Sequence, residues 1–310
     1  MSYPRKFSEP ATFNRRTAYS NITDTFDPKM YSVVNKIFKF LENRDKTRIC
    51  RIINTANLIS NANLATAMAS IYQIVKPIID AQQIQKSEDR QDFITGKILD
   101  YIHPEPDVSA AKDWRLIDIG GGNGNILSGI QTRLAGPVDN YICVENQSDW
   151  QETYDYSNAN IRYLFWDNHE LSGLANGSVD IAFCMVSLHH MTDGTISNIL
   201  AELSRVLKPG GKLLIKEHAA APDNLKYIYW EHHLYHILDV AIGGSPGANQ
   251  SGWREYLERS INNFKPADEW RSLCEEHGFK FVERMNRFLD GRFEPDPRNP
   301  SELYWDVYTK

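Results

Sequence analysis

Three acids and a run of glycines carry the most readable chemistry in this chain. Asp118 follows the apolar pair Leu116-Ile117, and glycines stand at 120, 121, 122 and 124. Glu145 ends the run Tyr141-Ile-Cys-Val, and Asp167 with Asn168 ends Ile161-Arg-Tyr-Leu-Phe-Trp. Glycine lets a turn visit positive φ and lets a flat ligand approach bare backbone that a Cβ would block. A nucleotide-type cofactor then lies at the carboxyl end of the strand, near the N-terminus of the next helix. A carboxylate at the following strand tip can accept hydrogen bonds from two vicinal ribose hydroxyls. A second group of residues offers histidines that titrate near neutral pH together with aromatic stacking surface. It comprises His189, His190, Glu217 and His218, then Tyr229, Trp230, His232, His233 and His236.

Spacing decides between cofactors. A dinucleotide fingerprint starting at Gly120 needs glycines at 120, 122 and 125, but position 125 is Asn125. That disfavours a nicotinamide oxidoreductase. The observed pattern, Asp-x-Gly-x-Gly-x-Gly over Asp118 to Gly124, resembles motif I of the class I S-adenosylmethionine (SAM) dependent methyltransferases. Glu145 lies 21 residues beyond Gly124, which leaves room for one helix between parallel strands. Ser178–Ser187 followed by Leu188-His-His-Met191, and Val206-Leu-Lys-Pro-Gly-Gly-Lys-Leu-Leu-Ile-Lys216, resemble the same family. The resemblance covers residues 110–218 well and 265–310 loosely, and leaves the first hundred residues outside it.

The resemblance implies an α/β fold: a Rossmann-like, seven-stranded, mostly parallel sheet with helices on both faces and an antiparallel last strand. It implies SAM as cofactor, held by Asp118, Gly120, Gly121, Gly122, Gly124, Glu145, Asn146, Asp167, Asn168 and Met185, with the 167–168 tip on the adenine amino group. The methyl group then points at the tips of strands 4 and 5. His189, His190 and His233 become the candidate catalytic groups. Glu217, His218, Tyr229, Trp230, His232 and His236 become the acceptor side. Tyr229, His232, His233 and His236 share one helix face at i, i+3, i+4 and i+7, a pattern that equally describes a helix packing its aromatics into a core. Methyl transfer from a sulfonium needs alignment and exclusion of water more than acid–base help. A base is needed only where the acceptor must lose a proton.

A small-molecule acceptor, or a terminal group on a larger one, is expected, with an RNA acceptor left open. The Asn/Asp-Pro-Pro-Tyr signature of amide and adenine amino methyltransferases is absent at Cys184-Met-Val-Ser187. The acid that ribose 2′-O-methyltransferases need there is absent too. His232 and His236 have the i, i+4 spacing of metal ligands, but the rest of a metal-assisted motif is missing, so no metal is expected. The reading from another class is a non-catalytic scaffold of the same fold. The intact glycine turn and strand tips count against it.

The elements that must position these residues follow from periodicity. Residues 1–107 read as an N-terminal helical region and 108–310 as the methyltransferase domain, with 219–263 inserted on the substrate side. Residues 1–26 read as poorly structured or draped on the surface. Met30, Val33, Val34, Ile37, Phe40 and Leu41 repeat at three and four from Pro28 onward. Further helices are expected near 47–58, 64–84 and 88–102, the second of these kinked or ended by Pro77. His103-Pro-Glu-Pro106 reads as a linker. The helical region would cap the cofactor cleft, make a homo-oligomer contact or only pack on the sheet. The net charge of −6 argues against nonspecific coating of nucleic acid. Four cysteines without paired spacing exclude a disulfide framework. No apolar run reaches a membrane span, and the N-terminus lacks the apolar stretch of a signal peptide, so a cytoplasmic protein without membrane association is expected.

Overall fold

Strands β1 (Leu116–Ile119), β2 (Tyr141–Asn146), β3 (Arg162–Trp166), β4 (Val179–Met185) and β5 (Leu207–His218) are built around apolar runs, buried throughout in β1 and over residues 213–218 of β5, as a sheet covered on both faces requires at its centre. In the computed structural model they pair in parallel, and β6 (Lys280–Arg284) and β7 (Leu303–Thr309) complete a sheet of order β3-β2-β1-β4-β5-β7-β6. β7 runs antiparallel to both of its neighbours. The structure describes residues 27–56, 60–85, 89–102, 111, 113–146, 156–243, 250–284 and 303–310. The expected 103–106 linker and the first 26 residues lie outside that set.

Alternate residues along each strand feed two cores. Ile117, Ile119, Ile142, Val144, Ala182, Cys184 and Ile215 pack with helix α6 (Asp193–Val206) and helix α9 (Ala267–Glu276). Leu116, Tyr141, Cys143, Ile181, Phe183 and Leu214 pack on the other face with helix α4 (Asp89–Ile102) and helix α5 (Asn125–Leu134). Thr95 of α4 sits against Gly129 of α5, where a Cβ would come within 3.1 Å of the Thr95 Oγ1. This close approach ties α4 to the sheet. Lys208–Gly211, with Gly210 at φ +77°, bulges between the β4 pairings of Leu207 and Lys212, so β5 begins at Leu207 instead of after the glycines.

The remaining helices form a second unit with its own core. Helix α1 (Pro28–Ile37) is capped by the Asp27 carboxylate, which accepts from the amides of Lys29 at 3.0 Å and Met30 at 3.2 Å. Its apolar stripe packs with helix α2 (Asn43–Thr55), helix α3 (Asn61–Gln82), helix α7 (Leu225–Gly243) and helix α8 (Gln250–Arg259). Pro77 neither ends nor divides α3, which continues to Gln82. Ile74, Val75 and Ile79 are buried on either side of it, and their packing offsets the lost backbone hydrogen bond. The division of the chain therefore differs from a boundary at 107. Helix α4 belongs with the sheet, and the 220–264 segment folds with α1–α3. Among the described residues, no helix is long and apolar enough to cross a membrane.

Candidate active site

The chain leaves β1 through α5 to reach β2, and after β3 it returns to the opposite side of β1 as β4. The carboxyl ends of β1 and β4 thus flank a topological switch point, the usual ligand position in an open α/β sheet. Each residue of the turn there has a local reason. Gly120, Gly122 and Gly124 adopt φ of +70°, +59° and +68°. A Cβ on Gly120 would lie 2.7 Å from the Ser187 Cβ, and one on Gly124 would lie 2.0 Å from the Ile161 Cδ1. Ser187 donates to the Ile119 carbonyl at 2.7 Å, joining the β4 tip to β1. The Tyr163 hydroxyl donates to the Asn123 carbonyl at 2.8 Å and holds the turn from β3.

Two carboxylates converge on this turn. Asp118 is 1% exposed, and among the described residues neither of its carboxylate oxygens has a hydrogen-bond partner. Burial first, and then the charge of Glu145, pushes its carboxyl well above the usual range. A Cβ on Gly121 would lie 2.6 Å from the Asp118 Oδ2, so glycine at 121 makes room for that carboxylate. Glu145 accepts from the Gly122 amide. Burial raises its carboxyl as well, against that one hydrogen bond. Among the described residues no cation balances these two desolvated acids, which suits a positively charged ligand that also offers hydroxyl donors. SAM, with its sulfonium, ammonium and ribose, matches that donor set.

At the β4 end, Val186 holds φ +61°, a strained value for a β-branched residue. Its amide bonds the Lys216 carbonyl at 2.7 Å. A 3-10 turn over Leu188–His190 follows. Glu217, 1% exposed at the end of β5, secures that turn: its Oε1 accepts from the amides of Leu188 at 3.0 Å and His189 at 3.3 Å, and its Oε2 meets the His189 Nδ1 at 2.7 Å. His189 is wholly buried, with the rings of His190 and His218 at centroid distances of 4.2 Å and 5.5 Å. His190 is exposed and His218 is buried.

The other residues expected at the site divide by unit. Met185 ends β4, half-buried against the α4–α5 side of the core. Asn146 is the last residue of β2. Asp167 is exposed and accepts from the His169 amide at 3.1 Å, which closes its own turn, and Asn168 stands at φ +70° with its carbonyl bonded to Asn198 at 2.9 Å. Tyr229, Trp230, His232, His233 and His236 all belong to the helical unit. Tyr229 and Trp230 are packed in its core at 2% and 1% exposure, and His233 is wholly buried.

Tyr256 of α8, which sequence reasoning missed, gathers these histidines. Its hydroxyl meets the His232 Nε2 at 3.2 Å and the His233 Nδ1 at 3.4 Å, and its ring stacks on His236 at 3.8 Å. Burial holds His236 down at about 4, so it is neutral at pH 7. Ser187 and Tyr163 were also missed, because nothing in the spacing distinguishes a serine or tyrosine that anchors a turn.

The methyltransferase domain family matches residues 88–284. A ubiquinone/menaquinone biosynthesis C-methyltransferase (UbiE) from Cereibacter sphaeroides is 24% identical over 197 residues, covering 62% of this chain and 74% of the relative. UbiE from Methylobacterium nodulans is 28% identical over 190 residues, covering 59% and 71%. The solved structure of the CurJ carbon methyltransferase superposes with a TM-score of 0.44 at 15% identity, covering 92% of this chain and 71% of that one. The chain belongs to the methyltransferase domain family, and so to the class I SAM-dependent methyltransferases.

Proposed function

We propose that this protein transfers the methyl group of SAM to a small-molecule acceptor, with the cofactor held at the β1–β4 switch point by Asp118, the 120–124 turn and Glu145. The buried, unpartnered Asp118 carboxylate beside Glu145 carries this placement, because an acid kept dry without a donor is costly unless a cationic ligand binds it. SAM supplies a methyl carbon bonded to a positively charged sulfur, a good leaving group. Asp118 favours positive charge there, Glu145 takes hydroxyl donors, and the glycine turn offers amides without side chains. The strained Val186 and the Glu217-bound turn fix the β4 tip, so that His189 and His190 keep one position on the acceptor side. The names of the UbiE relatives, C-methyltransferases of quinone biosynthesis, support a small aromatic acceptor.

Calorimetry tests the placement. SAM and S-adenosylhomocysteine should bind and raise the melting temperature by mass action, and NAD should do neither. Glu145→Gln should weaken SAM by about 10- to 150-fold, the equivalent of roughly 1.5–3 kcal/mol for a hydrogen bond to a charged group. Equal affinity in wild type and variant would remove Glu145 from the cofactor site.

A further inference from the structure

We infer that the solvent face of α2 docks a nucleic-acid strand, gripped at its phosphates by Arg44, Arg48 and Arg51. This surface belongs to the helical unit and is independent of the cofactor site. The chain carries a net charge of −6, yet residues 27–56 hold seven basic residues against the three acids Asp27, Glu42 and Asp45. Three of the seven are used within the unit. Lys36 pairs with Glu231 at 2.8 Å, Lys46 donates to the Asn35 Oδ1 at 2.8 Å, and Lys29 lies over the Tyr227 ring at 5.9 Å. Lys39, in the turn that leads from α1 into α2, and Arg44, Arg48 and Arg51 on α2 are all exposed. Among the described residues, the acid within ion-pair distance of these four is Asp45, 3.9 Å from an Arg44 side chain that is 86% exposed.

Helix geometry sets the four apart from an ordinary solvated face. Arg44, Arg48 and Arg51 stand at i, i+4 and i+7, within an arc of about 60°. They lie opposite Ile49, Cys50 and Ile53, which are buried in the core of the unit. The row runs about 10 Å along the axis, with its members about 6 Å and 4.5 Å apart. A solvated helix face gains from opposite charges three or four residues apart, and other helices here have them. Lys76 pairs with Asp80 on α3, Lys97 with Asp100 on α4, Arg205 with Glu202 on α6, and Arg259 with Glu255 on α8. On α2 the same spacing repeats one sign, which destabilises a free helix. An anion lying along the row turns that repulsion into attraction.

The side chains select the anion. Three of the four exposed bases are arginine, whose planar fork takes phosphate through two parallel hydrogen bonds where lysine presents a point charge. A nucleic-acid strand repeats a phosphate at every nucleotide, so a row of forks meets successive phosphates. An anionic membrane fits less well. Interfacial helices insert apolar side chains below their basic ones. This row is flanked by Thr47 and Thr55, and Ile52 packs against the core of the unit. Phosphate contacts hold a strand in place without reading its sequence, and RNA and DNA share them.

Fluorescence anisotropy of the full chain with end-labelled oligouridine and oligothymidine tests the surface. Binding of either strand supports it, and the stronger of the two names the source. Affinity should fall by about 20- to 50-fold between about 50 and 200 mM salt, the slope expected for three to four phosphates on a single strand. Arg44→Gln/Arg48→Gln/Arg51→Gln should lose at least about 10-fold in affinity at the lower salt and flatten that dependence. Its melting temperature should be unchanged or higher, because like charges have been removed. Arg44→Lys/Arg48→Lys/Arg51→Lys should keep the salt dependence and bind more weakly than wild type. Lys212→Gln/Arg259→Gln/Lys280→Gln removes the same charge from other exposed positions and should bind as wild type does. Failure of wild type to bind either strand at the lower salt would overturn the inference. So would equal binding by wild type and the glutamine variant of α2, or an equal loss in the comparison variant. Sedimentation with phosphatidylglycerol vesicles in place of either strand would assign the row to a membrane and overturn it as well.

Discussion

Asp118→Asn removes one of the two carboxyl groups at the site and keeps the shape of the side chain. In the cofactor-free protein the Asp118 carboxyl is raised well above the usual range, by burial and then by Glu145. An acid raised in the folded state contributes stability that is complete below its unfolded value of about 3.9 and is lost as pH rises through the folded value. Between those two values the loss is about 1.4 kcal/mol per pH unit. Asparagine does not titrate, so the variant should lack that part of the slope and be the more stable protein at the upper end of the window. A cationic ligand acts in the opposite sense. It favours the carboxylate, lowers its pKa in the complex and expels up to about one proton on binding, so affinity should improve as pH rises. Asparagine should abolish the linked proton and weaken SAM by about 10- to 150-fold, from roughly 1.5–3 kcal/mol for a charged hydrogen bond. Calorimetry in two buffers of different ionisation heat measures the proton, and urea melts across the window measure the slope. Equal SAM affinity with no proton released by the wild type would refute the assignment of Asp118 to the cofactor's positive charge.

Two other substitutions test the scaffold. Gly121→Ala places a Cβ 2.6 Å from the Asp118 Oδ2 and 2.8 Å from the Cys143 Sγ, both buried, so it should cost about 1–3 kcal/mol in chemical denaturation and weaken SAM with it. Pro77→Ala should stabilise α3: proline in a helix interior is worse than alanine by about 3 kcal/mol, offset by about 1 kcal/mol for a stiffer unfolded chain. The expected gain of up to about 2 kcal/mol appears as a higher melting temperature, and a lower one would show that the proline ring itself packs.

The sheet was legible because each strand announces itself twice, by an apolar run and by what ends it. Leu116–Ile119 stops at Gly120, and Tyr141–Asn146 stops after an acid. That the sheet is mostly parallel followed from the alternation of strands with helices. The partner of 219–263 was not legible. Its helix α7 shows apolar and aromatic residues on nearly every side, and only tertiary contact says that they belong to the core of α1–α3. The 107 boundary moved for the same reason: Thr95 against Gly129 is a contact between two helices that no local pattern joins. Of the two outcomes expected at Pro77, ending the helix did not occur, because a propensity rule weighs one backbone bond and ignores the buried neighbours Ile74, Val75 and Ile79.

Sequence position made Asp118, Glu145 and Glu217 look alike, each an acid at a strand tip. Their surroundings give them different chemistry. Glu217 accepts from two amides and meets one imidazole, all within its own unit, so it serves to hold the 188–190 turn. Glu145 accepts from one amide and keeps capacity for further donors. Asp118 has no donor among the described residues and is the driest of a converging pair, so a bound cation would stabilise its charged form. The number of protein donors on each carboxylate ranks them from positioning residue to ligand group. Strand-tip acids in this fold are therefore distinguished by the donors that surround them, and the turns that present those donors are held by Ser187, which bonds the Ile119 carbonyl, and Tyr163, which bonds the Asn123 carbonyl, neither adjacent to the acids in sequence.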